Sequence, residues 1–145
     1  MDVVEKIMRY CAYRERCTSE VENKLKTLTD NSLERDKVMK ALLDDGFVDD
    51  RRYAEIFTKS KIHQQHWGRN KISSALKTKH IATEIINDVM SEIDEDEQIE
   101  ILESLIKSKK IDEPDASKRR AKMVRYAMSK GFSIGQIEQV LKEKI

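Results

Sequence analysis

The strongest constraint on this chain is that it repeats itself. Slid along itself by 51 residues, Lys71-Ile72 falls on Lys122-Met123, Leu76 on Ala127, and Lys79 on Lys130. Ile86, Val89 and Met90 fall in the same way on Ile137, Val140 and Leu141. Val21 and Leu25 fit the same offset ahead of Ile72 and Leu76, after which the first copy needs three extra residues before its last helix. A unit of roughly 50 residues is one supersecondary motif, too small to bury its apolar face alone, so neighbouring copies must share that surface.

Within each copy apolar residues recur three or four apart, the period of a helix packed on one side. The first copy reads as helices carrying Val4, Ile7, Met8 and Cys11, then Val21, Leu25 and Leu28, then Val38, Ala41 and Leu42. Ser19 with Glu22, and Asn31 with Glu34, have the spacing of capping boxes, and Gly46 supplies a left-handed stop. The second copy opens on Asp49 as N-cap and carries Tyr53, Ile56 and Phe57; Gly68 then breaks the chain before Ile72, Ala75 and Leu76, and Ile85, Ile86, Val89 and Ile93 follow. The third opens on the acids Asp94 to Glu97, which suit a helix N-terminus, and continues with Ile99, Leu102 and Leu105. Pro114 marks the entry to a helix holding Met123, Tyr126 and Ala127, Gly131 ends it, and Ser133 with Gln136 caps a last helix with Ile137, Val140 and Leu141. One proline and four glycines are too few for the turns of a β-sandwich or barrel. The pattern predicts an all-α fold of three tandem three-helix repeats, about nine helices, in an elongated, curved, solenoid-like array. The repeats span 1–47, 48–93 and 94–145 and form one continuous structural domain.

The net charge of +1 conceals blocks. Arg51 to Lys79 holds eight Lys/Arg and one acid, Glu84 to Glu103 nine acids and no Lys/Arg, and Lys107 to Lys130 nine Lys/Arg against three acids. Two basic stretches around an acidic one suit a protein that meets a polyanion locally. Cys11 and Cys17 are the only cysteines, no apolar run approaches a membrane span, and no signal-peptide pattern opens the chain, so a cytoplasmic protein with reduced thiols is expected. No phosphate-binding glycine loop occurs, His63 and His66 lack a third metal ligand, and Cys17 has no base assigned to it. No enzyme activity, cofactor or metal is expected.

The basic residues sort by helical spacing. With Met123, Tyr126 and Ala127 facing inward, Lys118, Lys122 and Arg125 share the far side at i, i+4 and i+7. Such a row either follows phosphates or an acidic groove, or merely solvates a helix. The corresponding row of the second repeat is Trp67, Lys71, Ser74 and Thr78, with Arg69, Lys77 and Lys79 adding charge around it. Trp67 serves as a packing anchor at a helix entry or as a contact for a partner.

The segment Phe47-Val48-Asp49-Asp50-Arg51-Arg52-Tyr53-Ala54 resembles a motif of the RecX family, bacterial regulators of the RecA recombinase. Arg14-Glu15-Arg16-Cys17 with Glu20-Val21, Gly68-Arg69-Asn70-Lys71-Ile72, Lys79-His80-Ile81 and Lys130-Gly131-Phe132-Ser133 resemble further motifs of that family, in order along nearly the whole chain. Cys17, Lys71 and His80 depart from its usual serine, arginine and glycine. The resemblance implies a helical protein lying in the groove of a RecA–DNA filament that limits recombinase and coprotease activity; a monomer is expected, and the partner is either RecA alone or RecA together with the single-stranded DNA within the filament. Under that implication Lys118, Lys122, Arg125, Trp67, Arg69, Lys71 and Lys77 are the candidate binding residues. A free-standing helical DNA-binding module and a helical-repeat protein scaffold are the alternatives.

Overall fold

A computed structural model describes residues 1–143, and these form nine helices and no strand. The helices are α1 (Val3–Tyr13), α2 (Thr18–Leu28), α3 (Ser32–Asp44), α4 (Asp50–Gln65), α5 (Arg69–Thr78), α6 (Thr83–Ser91), α7 (Glu95–Ser108), α8 (Ala116–Ser129) and α9 (Ile134–Glu143). They fall into three successive triplets with three separate apolar cores. Ile7, Val21, Leu25, Met39, Leu42 and Val48 fill the first. Tyr53, Ala54, Ile62, Ile72, Leu76, Ile86 and Val89 fill the second, joined by Cys17 from the α1–α2 connection of the first triplet. Leu102, Ile106, Ala127, Phe132, Ile137 and Val140 fill the third. The molecule exposes 9259 Å² of surface at 17.0 kDa, where a compact globule of that mass exposes about 7700 Å². The excess is what an extended array of small cores requires.

The 51-residue register holds in three dimensions. Ile72, Leu76, Ile81, Ile86 and Val89 are buried, and of their counterparts Ala127, Phe132, Ile137 and Val140 are buried while Met123 is half-buried. His80 takes the left-handed conformation (φ 61°) that Gly131 takes (φ 102°) at the same place in the next repeat. Each residue follows the end of its triplet's second helix and turns the chain toward the third.

Three local readings change. The second helix begins at Thr18, so Cys17 is its N-cap, and it is Glu20, not Glu22, whose carboxylate reaches back to the Cys17 N–H (3.1 Å). On α1 the covered face is Val3, Ile7, Tyr10 and Cys11, while Val4 and Met8 are exposed. Ala41 and Ile56 are exposed as well, their helices having rolled so that Met39 and Ala54 point inward. In the last two cases the helix carries more apolar residues than its neighbours cover, and the crossing geometry selects which edge is buried.

The second helices of the triplets line up head to tail. The C-terminal carbonyls Lys130 O and Gly131 O at the end of α8 accept from Gly68 N (2.8 Å) and Asn70 N (3.0 Å) at the start of α5. At the far end of α5, Lys79 O accepts from the Ser19 hydroxyl (2.6 Å) at the start of α2. Carbonyls at the end of one helix thus accept from backbone N–H donors at the first of these junctions and from a side-chain hydroxyl at the second, and the macrodipoles align favourably.

Candidate interaction surface

Asp115 caps α8 by accepting from Lys118 N (3.0 Å), which sets the helix phase from its first turn. With Ala127 buried and Met123 and Tyr126 half-buried, Lys118, Lys122 and Arg125 all stand exposed on the outer side. Lys122 donates to Glu113 Oε1 (3.0 Å), and that contact holds the Glu113 carboxyl below its usual range. Among the described residues no carboxylate lies within ion-pair distance of Lys118 or Arg125. Two further cations of α8, which the row of three left out, are exposed beside it: Arg119, donating to Glu113 O (2.9 Å), and Arg120, paired with Glu138 (2.7 Å). Five basic side chains on one 14-residue helix make this the most cationic helix of the molecule.

The four candidates of the middle repeat do not form a comparable row. Arg69 is committed to the fold: it pairs with Glu95 (2.6 Å) and donates to Ile93 O (3.2 Å), clamping α5 to the start of α7. Glu95 is held below its usual pKa first by that contact and then by Gln136. Trp67 is half-buried, edge-on to Phe57 at 6.3 Å, with the Lys71 and Lys61 ammonium groups 4.6 and 4.9 Å from its ring centre. It is therefore a packing anchor whose exposed part carries cations. Lys77 is exposed on α5, with no ion pair among the described residues. Lys71 sits against Gly131, just past the C-terminus of α8, so the middle cations continue the line of α8 but at lower density.

The motif residues near Arg14 and Asp50 meet at the junction of the first and second triplets. Asp50 Oδ1 accepts from Thr18 N (2.7 Å) and the Thr18 hydroxyl (3.0 Å), and Arg52 pairs with Glu15 (2.6 Å). Glu20, nearly buried, accepts from Cys17 N and binds both Arg14 (2.9 Å) and Lys79 (3.3 Å) through Oε2. Burial alone would raise the Glu20 pKa, but the Cys17 N–H and the two cations outweigh it and hold the carboxyl below its usual range. Burial, reinforced by the Glu20 charge, pushes the neighbouring Tyr53 hydroxyl up to about 12. A carboxyl whose pKa is depressed on folding stabilises the fold above its unfolded value, and that stabilisation is lost as pH falls through the folded value. Replacing Glu20 with glutamine is expected to cost on the order of 2 kcal/mol at neutral pH. The variant should also lose less stability than the wild type when urea melts are repeated below the ordinary carboxylate range; equal acid sensitivity of the two proteins would refute the assignment.

Among the described residues no group of His, Cys, Asp and Glu is arranged to hold a metal, and no helix is long and apolar enough to cross a membrane. His63 faces Glu97 (3.3 Å), and His66 forms the left-handed end of α4.

Fold and surface together define a helical-repeat protein made of three-helix units, with its cations concentrated on the second helix of the last one. The models of the second and third three-helix domains of RecX match residues 49–90 and 95–141. Regulatory protein RecX of Clostridium botulinum (strain Eklund 17B) is 31% identical over 146 residues, covering 91% of this chain and 68% of the relative. The Clostridium beijerinckii protein of the same name is 29% identical over 96% of this chain and 66% of its own length, and that of Acinetobacter baylyi 30% identical over 88% and 79%. The chain thus spans about two thirds of the length of the first two relatives, and about half that of the Clostridium perfringens protein (52%). The crystal structure of RecX from Lactobacillus salivarius superposes with a TM-score of 0.86 at 22% identity, over 97% of this chain and 93% of that one. A second crystal structure of regulatory protein RecX superposes at 0.82, with 21% identity, over 97% and 70%. This chain belongs to the RecX family of regulatory proteins.

Proposed function

We propose that this protein binds RecA–DNA filaments and limits their recombinase and coprotease activity, using the outer face of α8 as a principal contact. The observation that carries the surface is the exposed row Lys118, Lys122 and Arg125, at helical pitch on the most cationic helix of the fold. A filament presents both phosphates and acidic protein walls, and an exposed cationic row gains from either. In this reading the repeats 1–47, 48–93 and 94–145 act as one cytoplasmic monomer, without cofactor or turnover, by occupying the filament. Trp67, Lys71 and Lys77 extend the contact along α5, and Arg69 holds that segment in place.

The test is to reverse Lys118, Lys122 and Arg125 together to glutamate and measure binding to RecA filaments, bare single-stranded DNA and free RecA. Filament affinity is expected to fall by more than about tenfold with helicity unchanged, and the dependence of affinity on salt to become shallower, because fewer ions are displaced on contact. Reversing Glu100 and Glu103 to lysine is the control and should not weaken binding. Filament binding by the triple variant at wild-type strength would move the surface off α8. Equal affinity of the wild type for bare DNA and for filaments would favour a free-standing DNA-binding module, and binding insensitive to salt a protein scaffold.

A further inference from the structure

The junction of the first two triplets holds a cleft of about 420 Å³ that the reading above leaves without a role. One wall is the α1–α2 connection with Arg14, the floor is α4 with Ile56, Phe57 and Lys61, and Lys79 closes the end. The internal repeat supplies a comparison at the next junction. There the backbones of Gly68 and Gly131 touch, and Lys130, the counterpart of Lys79, is turned onto Gln65 O (3.0 Å).

Charge in the cleft is not balanced. Arg14 and Lys79 share a single carboxylate oxygen of Glu20, which lies behind them at 8% exposure while their own side chains are 51% and 40% exposed. The acid that does line the cleft, Glu15, is already taken by Arg52. Lys61 makes no ion pair among the described residues and rests over the Phe57 ring at 5.3 Å. Three cations therefore face one carboxylate, beside an open apolar patch centred on Ile56, a 48% exposed isoleucine.

The shape of that patch discriminates between anionic partners. Nucleic-acid bases stack on open ring faces. Here Tyr53 is buried at 4% exposure, and the rings of Phe57 and Trp67 already carry lysine ammonium groups. The open apolar surface is centred on the Ile56 side chain, which suits a bulky apolar side chain of a partner, while carboxylates meet Arg14, Lys61 and Lys79. We infer that this cleft is a docking site for an acidic peptide segment of a partner protein that carries a leucine or phenylalanine among its carboxylates. The site is separate from α8 and independent of the filament reading.

The probe is a fluorescein-labelled hexapeptide of four acidic residues flanking one leucine and one phenylalanine, followed by anisotropy against the full chain. Its amide counterpart, a version with both apolar residues replaced by glycine, and a short oligothymidylate serve as comparisons. The acidic apolar peptide is expected to bind in a salt-sensitive manner and both altered peptides more weakly. Lys61→Glu should weaken binding by about tenfold or more, equivalent to about 1.4 kcal/mol. Ile56→Ser should weaken it severalfold. Both side chains lie outside the Glu20 network, so circular dichroism should confirm that the variants fold. The glutamate triple variant of α8 should bind the peptide normally, which separates this site from the filament surface. The inference is overturned if the peptide does not bind, if its amide counterpart binds equally, if Lys61→Glu and Ile56→Ser bind as the wild type does, or if oligothymidylate alone occupies the cleft with an affinity that Lys61→Glu abolishes.

Discussion

Substituting aspartate for Leu76 is expected to abolish the cooperative thermal transition of the middle of the molecule. Leu76 is fully buried among Ile72, Ile81 and Ile86, on the central helix of the row α8–α5–α2. Losing its apolar contacts costs about 2–3 kcal/mol. An unpaired carboxylate in the same place costs several more or must take up a proton. Together these rival the whole margin of a small domain, about 5–15 kcal/mol. Ser74 is exposed two residues away on the same helix. Ser74→Asp adds the same charge on the solvent side and should shift the melting temperature by only a few degrees. Leu76→Asp melting like the wild type by calorimetry would refute the inward position of Leu76 on α5.

Gly68→Ala is expected to be nearly as damaging, by an entirely different route. A Cβ on Gly68 would lie 2.5 Å from the backbone carbon and oxygen of Gly131 and 2.8 Å from Phe132 N. The Gly68 backbone itself is ordinary (φ −84°), so the penalty is steric and arises between repeats. Relief requires α5 and α8 to part, which breaks the hydrogen bonds Gly68 N–H to Lys130 O and Asn70 N–H to Gly131 O. A loss of about 3 kcal/mol is expected from two bonds and the surrounding packing. Because the third core is filled by its own triplet and meets the second chiefly through Ile101, the third repeat should melt in a transition of its own once the junction parts, visible as a split calorimetric peak or as early hydrogen exchange in α8 and α9. Gly135 provides the opposite case. It lies within α9, its Cβ position meets nothing closer than the Ser133 hydroxyl at 3.9 Å, and Gly135→Ala should stabilise by about 0.5–1 kcal/mol. A Gly68→Ala protein that melts in one transition at the wild-type temperature would refute the tight junction.

The candidate surface was legible in the sequence where local spacing was enough and illegible where a partner distant in sequence was needed. Lys118, Lys122 and Arg125 could be placed on one face from the helical period and the inward position of Ala127 alone. Arg69 could not be separated from Lys71 and Lys77 in the same way, because its partner Glu95 lies 26 residues on and belongs to the next repeat. The cleft at the first junction joins Arg14, Lys61 and Lys79, three cations with no spacing relation to one another. Capping shows the same limit on a smaller scale. Ser19 with Glu22 and Cys17 with Glu20 are both plausible at the level of pattern, and the choice fell to Cys17 because the Ser19 hydroxyl bonds instead to Lys79 O in the neighbouring repeat.

By itself the sequence determined the helical class, the triplet repeat, most inward-facing positions and the two basic blocks, since all of these follow from the periodicity of side chains along a single helix and from recurrence along the chain. Only the tertiary structure decided that Val4, Met8 and Ile56 lie open while Cys17 is enclosed, that the second helices run head to tail, and that one junction closes glycine against glycine while the other leaves a cationic cleft. These outcomes depend on how neighbouring repeats approach one another. That approach is fixed by steric fit and hydrogen-bond partners some sixty residues apart, such as Ser19 with Lys79 and Gly68 with Lys130, for which local spacing carries no signal.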